Sequence, residues 1–411
     1  MTIIQQLHER ATWDEYLLHK QESGHLSAHD EEDLIRFIER EEYLDTLSEI
    51  ADSGFTAPRK SYISKVQSGK KRVVYIFTRG ENYILKCMTF LLTRKYDSHF
   101  ADNLYSFRAR HGVKRAVSFL KNTPGLSSMY VYKSDISDYF NSVDVARLLP
   151  ALRQIMSDDA DTYRLIAALL TDTRVVLPDG STAREAKGIM AGVPVSSFLA
   201  NVYLTELDRY FQERNILYAR YSDDIILFAP TAEERDAGIA YIREYLRAAH
   251  LKMNEAKENF FEPHQKWTFL GVSYDNGVFD ISDISAQKLK MKMRRRSRAL
   301  LRWKAKKNID NVLAAKAFVK ALNRKLYHNN NKAELTWIRW FFPLINTTAT
   351  LAEIDHYMQD CLRYIATGKR TRGRFRFSYE DMKQLGYRSL VHEYYAIQKA
   401  SKKNRDASFR P

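Results

Sequence analysis

The feature that most restricts this chain is an acidic tetrapeptide, Tyr221-Ser222-Asp223-Asp224, set between two apolar runs, residues 216–221 and 225–229. Such runs of Ile, Leu, Tyr and Phe read as strands, and so short a polar gap demands a tight antiparallel hairpin. Adjacent carboxylates at a hairpin tip repel each other and have low strand propensity. A plain turn can hold an Asp-Asp pair, but a divalent cation between the carboxylates and a phosphate gives the pair a chemical purpose. Another carboxylate, Asp135, ends a third apolar strand over residues 128–136, followed by Tyr139 and Phe140. Strand-end acids from separate strands can converge on a pair of magnesium ions. One ion lowers the pKa of an attacking hydroxyl; the other holds a triphosphate and the leaving oxygen. That geometry serves in-line phosphoryl transfer.

The surrounding pattern predicts an α+β fold with an antiparallel hairpin at its centre. Residues 1 to about 50 are charged and helical, with Leu34, Phe37, Ile38 and Leu44 at helical spacing, until Gly54 and Pro58 break the pattern. Residues 62–77 read as two strands around a Ser68-Gly69 turn, the second opened by Lys70, Lys71 and Arg72. Helices are predicted over residues 81–93, 144–156, 196–213 and 233–250. That at 196–213 has an apolar face of Phe198, Leu199, Val202, Tyr203 and Leu207. Beyond about residue 280 the chain is basic and helical.

Composition narrows the partners. A formal net charge of +15 points to a polyanion, of which nucleic acid is the usual one. The 25 Tyr and 21 Phe suit base stacking and ordinary cores alike. Only Cys87 and Cys361 are present, which excludes a disulfide framework and a cysteine zinc site and fits a reducing cytosol. No apolar run approaches about 20 residues, and the N-terminus lacks a signal-peptide pattern, so a cytoplasmic, membrane-free protein is expected.

Five segments then carry a family resemblance. Residues Asp135–Phe140, Gly188–Asn201, Tyr221–Asp224, Leu251–Lys257 and Phe269–Gly271 resemble, in order, the catalytic motifs of reverse transcriptases of the retron, group II intron and abortive-infection type. The defence-associated branch is the most similar. The resemblance implies a right-hand polymerase: a helical extension (1–50), fingers (51–127, with elements around 157–190), a palm with an antiparallel sheet (128–275) and a basic helical thumb and C-terminal region (276–411). It implies an RNA-directed DNA polymerase that uses two Mg2+ ions, or Mn2+ in their place.

By the same resemblance Asp135 and Asp223 are metal ligands, Asp224 supports them and the Ile136 backbone carbonyl completes the set. Phe140 stacks beneath the incoming sugar and excludes a 2′-hydroxyl, while Tyr139 belongs to the core. Lys70, Lys71 and Arg72 match the fingers hairpin that grips the triphosphate; the guanidinium of Arg72 suits a bidentate phosphate contact. Lys65 is a further candidate there. Arg108 sits in a fingers motif that meets template or phosphate, and Lys257 matches a lysine that donates a proton to pyrophosphate. Phe269-Leu270-Gly271 resembles the turn supporting the primer end.

Two positions depart from the pattern. Ala191, beside the incoming dNTP, stands where relatives commonly carry Gln, and Ser197 where Pro is frequent.

Along the basic stretch, Arg294, Arg295, Arg296, Arg298 and Lys304 suit a phosphate-tracking helix. A second cluster, Lys369, Arg370, Arg372, Arg374 and Arg376, interleaved with Phe375 and Phe377, suits structured RNA. Residues 386–395 are similar to thumb segments of the defence-type enzymes. Nothing resembles a zinc-bearing endonuclease, and His residues lack ligand spacing.

The implied partners are an RNA template in the form of a structured non-coding RNA, dNTPs and the DNA product. An oligomer or a second defence protein is a further expectation, and the setting is antiphage defence. Template-independent or protein-primed DNA synthesis and a non-catalytic RNA-binding role are the alternatives.

Overall fold

Strands form where β-branched and aromatic residues run between breakers. The computed structural model describes residues 1–23, 26–64, 71–109, 111–327 and 336–408, with backbone alone for Ser64 and residues 401–408. Two compact units divide the chain, Met1–Pro263 and His264–Pro411.

The first unit holds β1 (Arg59–Ser64), β2 (Lys71–Ile76), β3 (Tyr130–Asp135), β4 (Arg174–Val176), β5 (Thr182–Arg184), β6 (Tyr218–Tyr221), β7 (Asp224–Ala229) and β8 (Asn259–Phe261). One sheet runs β2-β1-β4-β5, the other β6-β7-β3-β8. The expected hairpin of residues 62–77 is the antiparallel β1–β2 pair, with Ser64 opposite Lys71. Lys65, the Ser68-Gly69 turn and Lys70 lie outside the described residues.

Four helices, Ile3–His8, Arg10–Ser23, Ala28–Glu39 and Glu42–Ser53, form the helical N-terminal region. They bury Trp13, stacked on Tyr43 with ring centroids 5.2 Å apart, and pack with the helix Arg79–Lys95. That helix starts where Thr78 and Glu81 cap each other reciprocally.

The single helix expected over 196–213 is two, Ser196–Tyr203 and Thr205–Glu213, broken at Leu204. The Thr205 hydroxyl donates to the Asn201 carbonyl at 3.0 Å. Back-bonding of this kind competes with the backbone ladder and bends helices.

The second unit opens with β9 (Trp267–Phe269), β10 (Val272–Asp275) and β11 (Val278–Ile281), a meander ordered β11-β10-β9. Asn276 and Gly277, with φ of 45° and 89°, make its second turn, a backbone shape that favours an Asn-Gly pair. The basic stretch becomes the helix Asp283–Lys307, which buries Leu289, Met293 and Leu300. Its core also takes Phe318 from Asn311–Leu326 and Ile354 and Met358 from Ala349–Thr367. No helix among the described residues is long and apolar enough to cross a membrane.

Candidate active site

The β6–β7 hairpin is tighter than its sequence suggests. Asp224 is already in β7, opposite Tyr221, so only Ser222 and Asp223 form the loop, with Ser222 at φ 59°. On the other side of β7, Asp224 lies in register with Asp135, the last residue of β3. Opposed residues of an antiparallel pair stand about 4.5–5.5 Å apart at Cα and share one face of the sheet. The Ile136 amide donates to the Asp223 carbonyl at 3.1 Å. Pairing of β3 with β7 therefore brings all three acids to one end of the sheet.

Residues 251–258 complete the setting. The Asn254 amide donates to the Asp135 carbonyl at 2.8 Å and the Ser137 amide to the Lys252 carbonyl at 2.9 Å. Lys257 Nζ donates to Asp135 Oδ2 at 2.7 Å, and Asn254 Nδ2 to the same oxygen at 3.3 Å. Asp135 Oδ1 is buried and has no hydrogen-bond partner among the described residues. The Asp224 carboxyl is pushed up to about 6, first by burial and then by the charges of Asp223 and Asp135, against the pull of Lys133 and Lys257. Lys257 is held above its ordinary value, chiefly by its hydrogen bond to Asp135.

Among the described residues, no three or more His, Cys, Asp or Glu side chains are grouped to hold a metal ion. The donor set nevertheless suits magnesium, which binds through one or two carboxylates and completes its shell with water and substrate phosphates. An orphaned oxygen on Asp135, and an Asp224 carboxyl raised by burial and then by its acidic neighbours, mark a place where a cation would be favoured.

A second group gathers beside Phe140. The Phe140 carbonyl accepts from the Ile189 amide at 2.8 Å, and a Cβ on Gly188 would fall 2.4 Å from that carbonyl, so only glycine fits. Asn141 Oδ1 accepts from the Ala191 amide at 3.0 Å, and the Ala191 carbonyl accepts from the Tyr75 amide of β2 at 2.9 Å. The Arg72 guanidinium lies 6.0 Å from the centre of the Phe140 ring, and Phe107 meets that ring edge-on. Arg72, Phe140 and Ala191 are thus brought together, with Lys71 exposed next to Arg72. Tyr139 is buried, its hydroxyl donating to the Ala200 carbonyl, as a core residue should.

Arg108 requires a correction. Its guanidinium is buried, bonded through Nε and Nη2 to Asp97 and through Nη1 to the Ala101 and Leu104 carbonyls. Its donors are consumed inside the fold, so it braces residues 97–108 and offers nothing to a nucleic acid. In the second unit Arg294, Arg295, Arg296 and Arg298 are exposed, while Lys304 is half-buried.

Asp208 and Arg220 belong to none of the motifs named above. Both side chains are fully buried, and Arg220 donates from Nε to Asp208 Oδ1 at 2.8 Å, from Nη2 to Asp208 Oδ2 and from Nη1 to the Ser222 carbonyl at 3.2 Å. The signal was a lone arginine in an otherwise apolar strand, which can be buried only with a partner.

The family model described as reverse transcriptase (RNA-dependent DNA polymerase) matches residues 63–274. Protein YkfC of Escherichia coli K12 is 24% identical over 256 residues, 52% of this chain and 65% of that protein. The group II intron-encoded protein LtrA of Lactococcus lactis is 27% identical over 168 residues, 41% of this chain and 27% of LtrA. The retron Ec83 reverse transcriptase of Escherichia coli is 27% identical over 140 residues, 33% of this chain and 40% of that enzyme. The chain spans less than two thirds of each relative's length.

Proposed function

The chain belongs to the reverse transcriptase (RNA-dependent DNA polymerase) family, and on that premise we propose that it copies RNA into DNA, adding deoxynucleotides at the Asp135–Asp223–Asp224 site. The observation that carries this reading is the register of β3 against β7, which sets Asp135 opposite Asp224. The α+β architecture is that of a right-hand polymerase. We divide it into a helical extension (1–50), fingers (51–127), palm (128–275) and thumb with C-terminal region (276–411).

Asp135, Asp223 and Asp224, with the Ile136 carbonyl, would hold two Mg2+ or Mn2+ ions. When bound, these supply an acidified 3′-hydroxyl and neutralise the triphosphate. Arg72, Lys71 and Lys70 bind the triphosphate, the first by its planar fork. Phe140 fills the space beneath the sugar, braced by Phe107 and by its own carbonyl bond to Ile189. Lys257 carries its proton firmly while bonded to Asp135, and releases it to pyrophosphate after exchanging that carboxylate for the leaving group. Arg294, Arg295, Arg296, Arg298 and Lys304 track the phosphates of the template–product duplex.

The motif pattern further supports a cytoplasmic role in antiphage defence with a structured non-coding RNA as template, in an oligomer or beside a second defence protein. A second reading, untemplated or protein-primed synthesis, is favoured by Ala191. Both of its backbone groups are bonded inside the fold, and its methyl cannot supply the contact a Gln amide would make to nucleotide or template.

Purified protein with dNTPs and Mg2+ should extend a DNA primer on an RNA template. It should not do so when Asp223 and Asp224 are both replaced by Ala in a variant with unchanged folding. Equal synthesis without any RNA would establish the second reading. No incorporation under either condition would defeat both, leaving a non-catalytic RNA binder.

A further inference from the structure

In the second unit, the helix Ala349–Thr367 ends at Gly368, and a single-turn segment, Arg372–Arg376, leads to the next helix at Tyr379. Lys369, Arg370, Arg372, Arg374 and Arg376 crowd this connection, which contains no acid. Asp360 meets Arg374 at 3.3 Å and Arg363 at 3.7 Å. Among the described residues, Lys369, Arg370, Arg372 and Arg376 meet no carboxylate. The local positive charge is therefore largely uncompensated.

The cations are interleaved with rings. Phe375 is 55% exposed, and the guanidinium carbons of Arg363 and Arg374 each lie 5.0 Å from its centre. Arg370 sits 4.8 Å from the centre of the Tyr364 ring. Asp360 and the Arg370 carbonyl, which accepts from Arg374 Nη1 at 3.3 Å, hold Arg374 in place. The Nε atoms of Arg363 and Arg374 are buried with no acceptor among the described residues. Flat guanidinium and aromatic faces are thus fixed before any ligand arrives.

Bases that are free of pairing stack on aromatic rings and on arginine planes, while neighbouring cations take the flanking phosphates. A duplex hides its base faces and cannot use such a platform. A lipid surface calls for a stripe of apolar side chains along a helix, whereas Phe375 is the one large apolar side chain strongly exposed in this turn. We propose that the Lys369–Arg376 turn, with Phe375 as its stacking surface, binds unpaired nucleotides of a nucleic-acid strand. This goes beyond the polymerisation reading, since none of these residues belongs to the carboxylate site.

The test uses the full chain in EDTA without dNTPs. Fluorescence anisotropy is read with an unstructured RNA oligonucleotide, its DNA counterpart and a blunt duplex. Phe375→Ala is expected to weaken single-strand binding roughly 5- to 150-fold, the worth of one stacked base, and to leave duplex binding and the thermal melt unchanged. Phe375→Trp should retain affinity. Replacing Arg370 and Arg372 with Gln should reduce the salt slope on single strands by about 1.4.

Loss with RNA alone would assign the site to RNA, and equal loss with both strands to unpaired nucleic acid in general; either supports the assignment. Unchanged single-strand affinity in Phe375→Ala, or equal weakening on duplex, would overturn it. So would loss of sedimentation with phosphatidylserine–phosphatidylcholine vesicles while RNA binding persists. A chain that extends no primer yet shows Phe375-dependent binding would sink only the polymerase reading.

Discussion

Arg220 shows how much a single side chain can hold at this site. It stands in β6 with its guanidinium fully out of solvent, forked onto Asp208 of the helix Thr205–Glu213 and bonded to the carbonyl of Ser222. The backbone around it is also tied, since the Tyr105 amide donates to the Arg220 carbonyl at 2.9 Å. Burial pushes the Asp208 carboxyl up, with Arg220 opposing. Removing one member of a buried ion pair strands the other charge, at a cost of about 3–5 kcal/mol, whereas replacing both with apolar residues is far milder. Arg220→Met should therefore lower the unfolding free energy by that amount in a urea titration, and Arg220→Met with Asp208→Leu should recover most of it. Additive losses in that double-mutant cycle would show that the two side chains do not act as a unit. Neither role could be assigned from the sequence alone, because a buried arginine is legible only as an anomaly; its partner, twelve positions earlier in the chain, sits on a different element.

At the scale of elements, local signals were read well and long-range ones poorly. Apolar runs on either side of Ser222-Asp223 mark the hairpin, since its pairing is short-range. The pairing of β3 with β7 spans about ninety positions and became an expectation only through the chemistry of their terminal acids. The break at Leu204 was missed because the apolar periodicity continues across it, and only the Thr205 hydroxyl reports the bend. Arg108 misled for the opposite reason: an arginine in a fingers motif looks available until Asp97 is found beside it.

Asp33, on the helix Ala28–Glu39, accepts from Arg79 Nε at 2.8 Å and from the Tyr83 hydroxyl at 2.9 Å, both on the helix Arg79–Lys95. Arg79 holds the Asp33 carboxyl below its ordinary value, with burial opposing. A carboxyl depressed in the folded state adds stability that is present above its unfolded value near 4 and is lost as pH falls through the folded value. Arg79 is substantially exposed, so solvent screening limits the pair to roughly 0.5–1 kcal/mol. Asp33→Asn should lower the urea midpoint at pH 7 and converge with the wild-type curve as both are acidified. A difference that persists once Asp33 is protonated would show that shape, not charge, joins these helices.

For the whole molecule, the charge of +15 is the property that composition conveys best, because it needs no geometry. The division at residue 263 was not legible, since the apolar strands on either side of it look alike in sequence. What composition could not say is where the charge acts. In the helix Asp283–Lys307, Leu289, Met293, Ser297 and Leu300 face the core, which forces Arg294, Arg295, Arg296 and Arg298 outward into solvent. Surface arginines that neutralise phosphates release condensed counterions, so the logarithm of the binding constant falls with log salt at about −0.9 per duplex phosphate contacted. Replacing these four arginines with Gln should flatten the slope on duplex by up to about 3.6, weaken binding uniformly across sequences and leave the unfolding curve nearly unchanged. Asp223→Ala, which removes a carboxylate and no phosphate contact, should keep the full slope. Retention of the wild-type slope in the four-Gln variant would move the duplex contacts to other cations of the chain.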